Sequence, residues 1–285
     1  MPDVVSAIDT VRAKVNGRRP HGTLGFVPTM GALHAGHASL IERARRECGT
    51  VVVSIFVNPL QFDRPEDLER YPRSLDADLA LCDQHGVDLV FAPPVAEMYP
   101  RPMEMTIEVG KLADHLCGRY RPGHFQGVAS VVLKLFGIVQ PDLAYFGEKD
   151  AQQLAVVRRM VTDFNVPVRI VAVPTVRESD GLAFSSRNPR LNADDRQLAP
   201  NLYRALQRAA ASVERGAVDA AAIEREAAAL IPSDERLRLE YLRLVDPDDF
   251  QPIARVTGPV VAAGALWVGQ TRLIDNVRCT PRIQQ

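Results

Sequence analysis

The stretch Leu24-Gly25-Phe26-Val27-Pro28-Thr29-Met30-Gly31-Ala32-Leu33-His34-Ala35-Gly36-His37-Ala38-Ser39-Leu40 carries the change of hydrophobic period on which the reading of the chain turns. Residues 24–27 form a short apolar run of the kind buried in a parallel sheet. Leu40, Ile41 and Ala44 then follow helical spacing, so a strand is predicted to give way to a helix over 39–48. Between them lie two glycines and two imidazoles. Glycine lets the main chain approach a ligand closely, and the unpaired N–H groups of a starting helix attract an anion. His34 and His37, three residues apart, can both face what the backbone holds. The pattern predicts a phosphate site, and it fits equally a plain strand-to-helix turn with two solvated histidines.

The alternation repeats outward from this point. Residues 51–57 are a β-branched strand stopped by Asn58-Pro59, and 74–85 is a helix with Leu75, Leu79 and Cys82 at helical intervals. Gly86 ends it before a strand at 87–91. Proline clusters at 93–102 and the glycine-containing stretch 118–127 mark two irregular crossings. A helix over 128–139, a strand over 143–146, a helix over 151–164 and a strand over 169–173 complete an α/β pattern. It predicts a doubly wound, Rossmann-like parallel sheet spanning residues 1–175. Beyond it the composition changes. Alanine-rich helices at 193–215 and 219–229, broken by Gly216, precede strand patterns at 237–245, 260–268 and 271–277, the last two joined by Gly269-Gln270. These predict a smaller α+β domain over 176–285.

Whole-chain properties admit an enzyme and disfavour several other classes. The 285 residues suggest about two domains. An apolar fraction of 46% and a charged fraction of 24% are ordinary for a globular protein. A formal net charge of -1, with no basic face interleaved with aromatics, offers nucleic acid no attraction. No run approaches a signal peptide or the ~20 apolar residues of a membrane helix. Cys48, Cys82, Cys117 and Cys279 are dispersed without a C-x-x-C pair, so four ordinary thiols in a cytoplasmic protein are expected.

In a doubly wound sheet ligands bind outside the carboxyl ends of the strands. Three predicted ends are chemically loaded: His34-Ala35-Gly36-His37, Asn58-Pro59-Leu60-Gln61-Phe62, and Gly147-Glu148-Lys149-Asp150-Ala151-Gln152-Gln153. Lys149 can place a positive charge on phosphate oxygens, and Asp150 can accept hydrogen bonds from ribose hydroxyls. Gln61 and Gln153 suit hydroxyl and carboxylate oxygens. Each of these residues alone also fits a helix cap or loop contact. At the start of the second domain, Phe184-Ser185-Ser186-Arg187-Asn188 offers two hydroxyls and a guanidinium to phosphates, and equally fits a Ser/Asn turn.

Together these motifs resemble the pantoate–β-alanine ligase family along essentially the whole chain. Residues 30–37 match its nucleotide loop with the H-x-G-H element, 56–62 its pantoate loop, 147–153 its ATP segment, and 185–188 its phosphate loop. Phe184 stands where the family carries methionine, beside the adenine. The resemblance implies condensation of (R)-pantoate with β-alanine, driven by ATP going to AMP and pyrophosphate through pantoyl adenylate. It further implies ATP binding by Met30, Gly31, Ala32, Leu33, His34, Ala35, Gly36, His37, Gly147, Glu148, Lys149, Asp150, Val176, Phe184, Ser185, Ser186 and Arg187. Gln61 and Gln153 would bind pantoate and β-alanine. His34, His37 and Lys149 would carry the catalysis, Mg²⁺ would accompany ATP with no protein metal site assigned, and the protein would be a homodimer. Another nucleotidyl-transferring enzyme of the same superfamily and a non-catalytic nucleotide-binding module are the alternatives.

Overall fold

A computed structural model describes residues 1–281. The chain divides into two compact units. Met1–Val109, Arg121–Glu148 and Val156–Val176 form the first, and Gly110–Tyr120, Lys149–Ala155 and Arg177–Gln285 the second.

The first unit is built on six strands, β1 (Asp3–Val5), β2 (Leu24–Thr29), β3 (Thr50–Ile55), β4 (Leu89–Phe91), β5 (Leu143–Gly147) and β6 (Arg169–Val173). They lie in the order β1-β4-β3-β2-β5-β6, and every neighbouring pair is parallel. Consecutive strand residues face opposite sides, yet Val51, Val52 and Val53 are all fully buried, as are Leu89, Val90 and Phe91. Both faces of the central strands are therefore covered, which explains runs of apolar residues without alternation. Each such side chain contributes roughly 1.5–3 kcal/mol by leaving water. Pro28 is tolerated in β2 because it lies beyond Phe26, the last residue paired with β5. From β2 the chain runs outward to β3 and β4, then returns to add β5 on the other side. The carboxyl ends of β2 and β5 thus flank the switch point where such sheets bind ligands.

Several element bounds differ from the sequence reading; the helix read over 128–139, for example, begins at His124. The edge strand β1, only three residues long, carries no period that could announce it. The helix after β2 is Ala35–Glu47, so it begins before Ser39 and takes both histidines into its start. The helix read over 193–215 is two helices, Ala193–Leu198 and Asn201–Glu214. Pro200 separates them, because it has no N–H to donate and its ring crowds the preceding turn.

In the second unit β7 (Leu237–Val245), β8 (Val260–Val268) and β9 (Thr271–Cys279) form an antiparallel sheet. The helix Asn201–Glu214 buries Leu202, Leu206, Ala209 and Val213 in one core with Leu244, Ala262 and Leu266 of the sheet. Their spacing forms the apolar stripe of an amphipathic helix. All four cysteines are free and buried. Among the described residues, no helix is long and apolar enough to cross a membrane.

Candidate active site

At the end of β2 the chain makes a tight turn. Thr29 Oγ1 donates to the Ser54 carbonyl at 2.7 Å and accepts the Gly31 N–H at 3.1 Å. Gly31 and Ala32 both take positive φ, +77° and +51°, and a side chain at the first would meet the Asp78 carboxylate at 2.8 Å. Asp78, on the helix Leu75–Gln84, accepts the N–H groups of Ala32 at 3.0 Å and Leu33 at 2.7 Å. Burial pushes its carboxyl above the usual range despite these two bonds.

His34 is the N-cap of the following helix, a position usually held by serine, threonine or aspartate. Its Nδ1 accepts the Gly36 N–H at 3.1 Å, while His37 Nδ1 accepts the His34 N–H at 3.3 Å. This is a capping box made of two imidazoles. A backbone N–H only donates, so Nδ1 of each neutral ring is the unprotonated nitrogen and Nε2 carries the proton. The ring centroids lie 4.1 Å apart. The sequence reading placed an anion on the backbone of this turn. The N–H groups of Gly31, Ala32, Leu33, His34 and Gly36 instead have partners inside the protein. With Nδ1 of each ring engaged as an acceptor, Nε2–H is the side-chain donor of each imidazole.

At the end of β3, Asn58 and Gln61 are both buried. Asn58 Nδ2 donates to Gln61 Oε1 and to the Gly127 carbonyl, each at 3.1 Å. Its Oδ1 accepts the Leu60 N–H at 3.3 Å and the Tyr99 hydroxyl at 2.9 Å. Burial pushes the Tyr99 phenol up to about 12, so it remains a donor at neutral pH. The Gln61 carbonyl accepts His124 Nδ1 at 2.7 Å and Arg121 Nη2 at 3.2 Å, and Arg121 is paired with Asp63 at 2.7 Å. With Oε1 engaged by Asn58, the Gln61 amide nitrogen is the end suited to carboxylate or hydroxyl oxygens. Gly147 closes β5 and Glu148 follows it, at the other side of the switch point.

The second unit holds the remaining candidates. The Lys149 carbonyl accepts Asn276 Nδ2 at 2.9 Å, and its ammonium lies 3.9 Å from Asp150. Gln152 is structural: it accepts the Cys117 N–H at 3.0 Å and donates to the carbonyls of Leu112 and His115 at 2.7 and 2.8 Å. Gln153 is half-buried beside it. The stretch containing Phe184, Ser185, Ser186 and Arg187 is held at both ends. Arg177 makes a two-pronged pair with Asp275 at 2.6 and 2.9 Å and lies 3.8 Å over the Tyr203 ring. Arg196 grips Glu178 at 2.7 Å and Asp180 at 2.6 Å, holding the Asp180 carboxyl below the usual range. Within the loop the Ser185 hydroxyl accepts the Arg187 N–H at 3.2 Å. β9 thereby anchors both the Lys149 segment, through Asn276, and the serine loop, through Asp275. Val176 ends the first unit.

Asn58, read in the sequence as part of the 58–62 segment, and Asp78, Tyr99, Arg121, His124 and Asp275, given no role there, position these groups. Asp78 left a signal, an acid at helical spacing with Leu75 and Cys82. Asn58 and His124 left only their place in Asn-Pro and Arg-Pro-Gly-His turns.

A model of the pantoate-beta-alanine ligase family matches residues 3–278. The chain is 56% identical over 260 residues to a bifunctional pantoate ligase/cytidylate kinase of Thermosynechococcus vestitus, covering 90% of this chain and 51% of that protein. It thus spans about half the length of the bifunctional relatives. The crystal structure of pantothenate synthetase from Thermus thermophilus superposes with a TM-score of 0.91 at 48% identity, covering 96% of this chain and 98% of that one. A pantoate-beta-alanine ligase from Francisella tularensis, crystallised with beta-gamma ATP and beta-alanine, gives 0.81 at 34% identity, covering 97% of both chains.

Proposed function

Since the chain belongs to the pantoate–β-alanine ligase family, we propose that it condenses pantoate with β-alanine to give pantothenate, converting ATP to AMP and pyrophosphate. The observation that carries the reading is the imidazole capping box at the start of the helix after β2, beside the switch point, which engages Nδ1 of both rings as acceptors.

A carboxylate resists attack by an amine, so the reaction divides. The pantoate carboxylate, with an ordinary pKa near ~4, is already ionised and needs no base. It attacks the α-phosphorus of ATP, the bond to pyrophosphate breaks, and pantoyl adenylate forms. Charge builds on the phosphate oxygens during this step. His34 and His37 donate to them through Nε2–H, and Lys149, Ser185, Ser186 and Arg187 share the remaining charge. The β-alanine amine then attacks the acyl carbon and AMP leaves. Gln61 holds pantoate through its amide nitrogen, with Gln153 as a second contact. Residues 30–37, 147–150, Val176 and Phe184 are the further nucleotide contacts of this reading. Mg²⁺ supplies further charge neutralisation when bound to the triphosphate. Among the described residues no group of three or more His, Cys, Asp or Glu is placed to hold a metal ion. The same reading makes the protein a cytoplasmic homodimer with the nucleotide-binding domain over residues 1–175 and a smaller domain over 176–285.

A coupled assay of AMP release, omitting each substrate in turn, tests the reading. AMP is expected only with pantoate, β-alanine and ATP together at steady state. AMP release with amino acids or nucleotide-like acceptors would favour another nucleotidyl-transferring enzyme, and ATP binding without turnover a non-catalytic module.

A further inference from the structure

Asp78 lies on a helix that contributes no substrate contact in the reading above, yet it is a carboxylate only 3% exposed. Burying a charge is costly unless hydrogen bonds compensate. Its two oxygens each accept one N–H of consecutive residues, Oδ2 from Ala32 at 3.0 Å and Oδ1 from Leu33 at 2.7 Å. These are the residues directly before the His34 cap. Ala32 sits at φ +51°, a left-handed conformation an alanine does not choose unaided. The fit around the carboxylate is close from the other side as well. A Cβ at Gly31 would lie 2.8 Å from Asp78 Oδ2 and 3.0 Å from Ile55 Cγ2.

Successive N–H groups in a turn of this kind form a concavity for an anion. In this protein the anion is the protein's own carboxylate. We propose that Asp78 is a positioning residue for adenylate formation: by filling the concavity at Ala32 and Leu33 it fixes the turn from which His34 and His37 are presented. It sets the direction of the two imidazoles without touching substrate. The pantoate-binding turn is held independently, by Asn58, Tyr99, His124 and Arg121. The inference rests on the reading of His34 and His37 as α-phosphate donors.

The test is Asp78→Asn, which keeps the size of the side chain but replaces one acceptor oxygen by a donor. Rapid-quench measurement of pantoyl adenylate, normalised to active sites by burst amplitude, is expected to show a single-turnover rate constant reduced by ~10²-fold, the scale of a misplacement of about 1 Å. Pantoate affinity, read by equilibrium binding, should stay within a factor of about two. A purely structural role would lower the melting temperature and the amplitude while leaving the rate constant per active site unchanged, and that result overturns the proposal. Gly31→Ala, which presses a methyl group on the same carboxylate, supplies the measurement if Asp78→Asn does not fold. The same pattern is expected, and a wild-type rate constant there equally overturns the proposal. Wild-type protein that forms no pantoyl adenylate would refute the functional reading itself, and is thereby distinguished from failure of this inference.

Discussion

Substituting Gly127 by alanine tests whether the Gln61 turn is held in place by the helix packed against it. Gly127 lies in the first turns of the helix His124–Val139, and a Cβ there would stand 2.2 Å from the Leu60 carbonyl oxygen and 2.7 Å from Gln61 Cα. Those atoms are backbone and cannot rotate away. The turn must withdraw by about 1 Å, and overpacking of this sort costs about 1–3 kcal/mol. Alanine returns up to about 1 kcal/mol through its better helix propensity. The net loss of about 0–3 kcal/mol corresponds to a fall in Tm of no more than about 12 °C for a protein of this size. The catalytic effect should be larger than the stability effect, because Asn58 donates both to the Gly127 carbonyl and to Gln61 Oε1. A withdrawal of about 1 Å carries Gln61 with it and should lower kcat/KM for pantoate by ~10–10²-fold. The assay is AMP release against varied pantoate at saturating ATP and β-alanine, with the melting curve recorded on the same sample. The KM for ATP should change by less than about twofold. A variant with wild-type kcat/KM for pantoate, or one in which ATP and pantoate suffer equally, would refute the reasoning.

Three further outcomes are expected. His37→Ala should slow pantoyl adenylate formation by ~10²–10³-fold, the scale of losing one transition-state donor, and formation at the wild-type rate in a rapid-quench experiment would remove His37 from the mechanism. Gln61→Ala should weaken pantoate binding much more than ATP binding, and equal weakening in calorimetric titrations would make Gln61 structural only. Burial pushes the Cys82 thiol up to about 12 and the Cys279 thiol up to about 11, so at pH 8 only ~10⁻⁴ and ~10⁻³ of each is the reactive thiolate. Intact-mass analysis after iodoacetamide treatment should find both unlabelled in the native protein and labelled after unfolding. Rising pH should speed native labelling, since deprotonation of a raised-pKa thiol is favoured only as pH approaches those values.

The sequence made the first unit's sheet legible because its strands are buried on both faces and so stand out as unbroken apolar runs, 51–53 above all. The short β1 escaped for the opposite reason, having too few residues to show a pattern. The helix after β2 was placed late because its cap is a histidine, a residue whose capping depends on ring orientation and not on residue type alone. The candidate residues themselves were readable from their chemistry, but their anchors were not. Gln152 and Gln153 look interchangeable in sequence, yet the first fastens residues 112–117. Asp78 and Asp275 reach partners 45 and 98 positions away, a relation that only the folded chain creates.

The imidazole cap makes the helix start and the reactive side chains one object. Hydrogen exchange at the Gly36 amide, bonded to His34 Nδ1, would therefore report how firmly the rings are aimed before any substrate is added. His34→Asn would retain an acceptor for that amide while removing the imidazole Nε2–H, so protection and turnover would part company. A folding observable could then serve as a ligand-free gauge of readiness for catalysis.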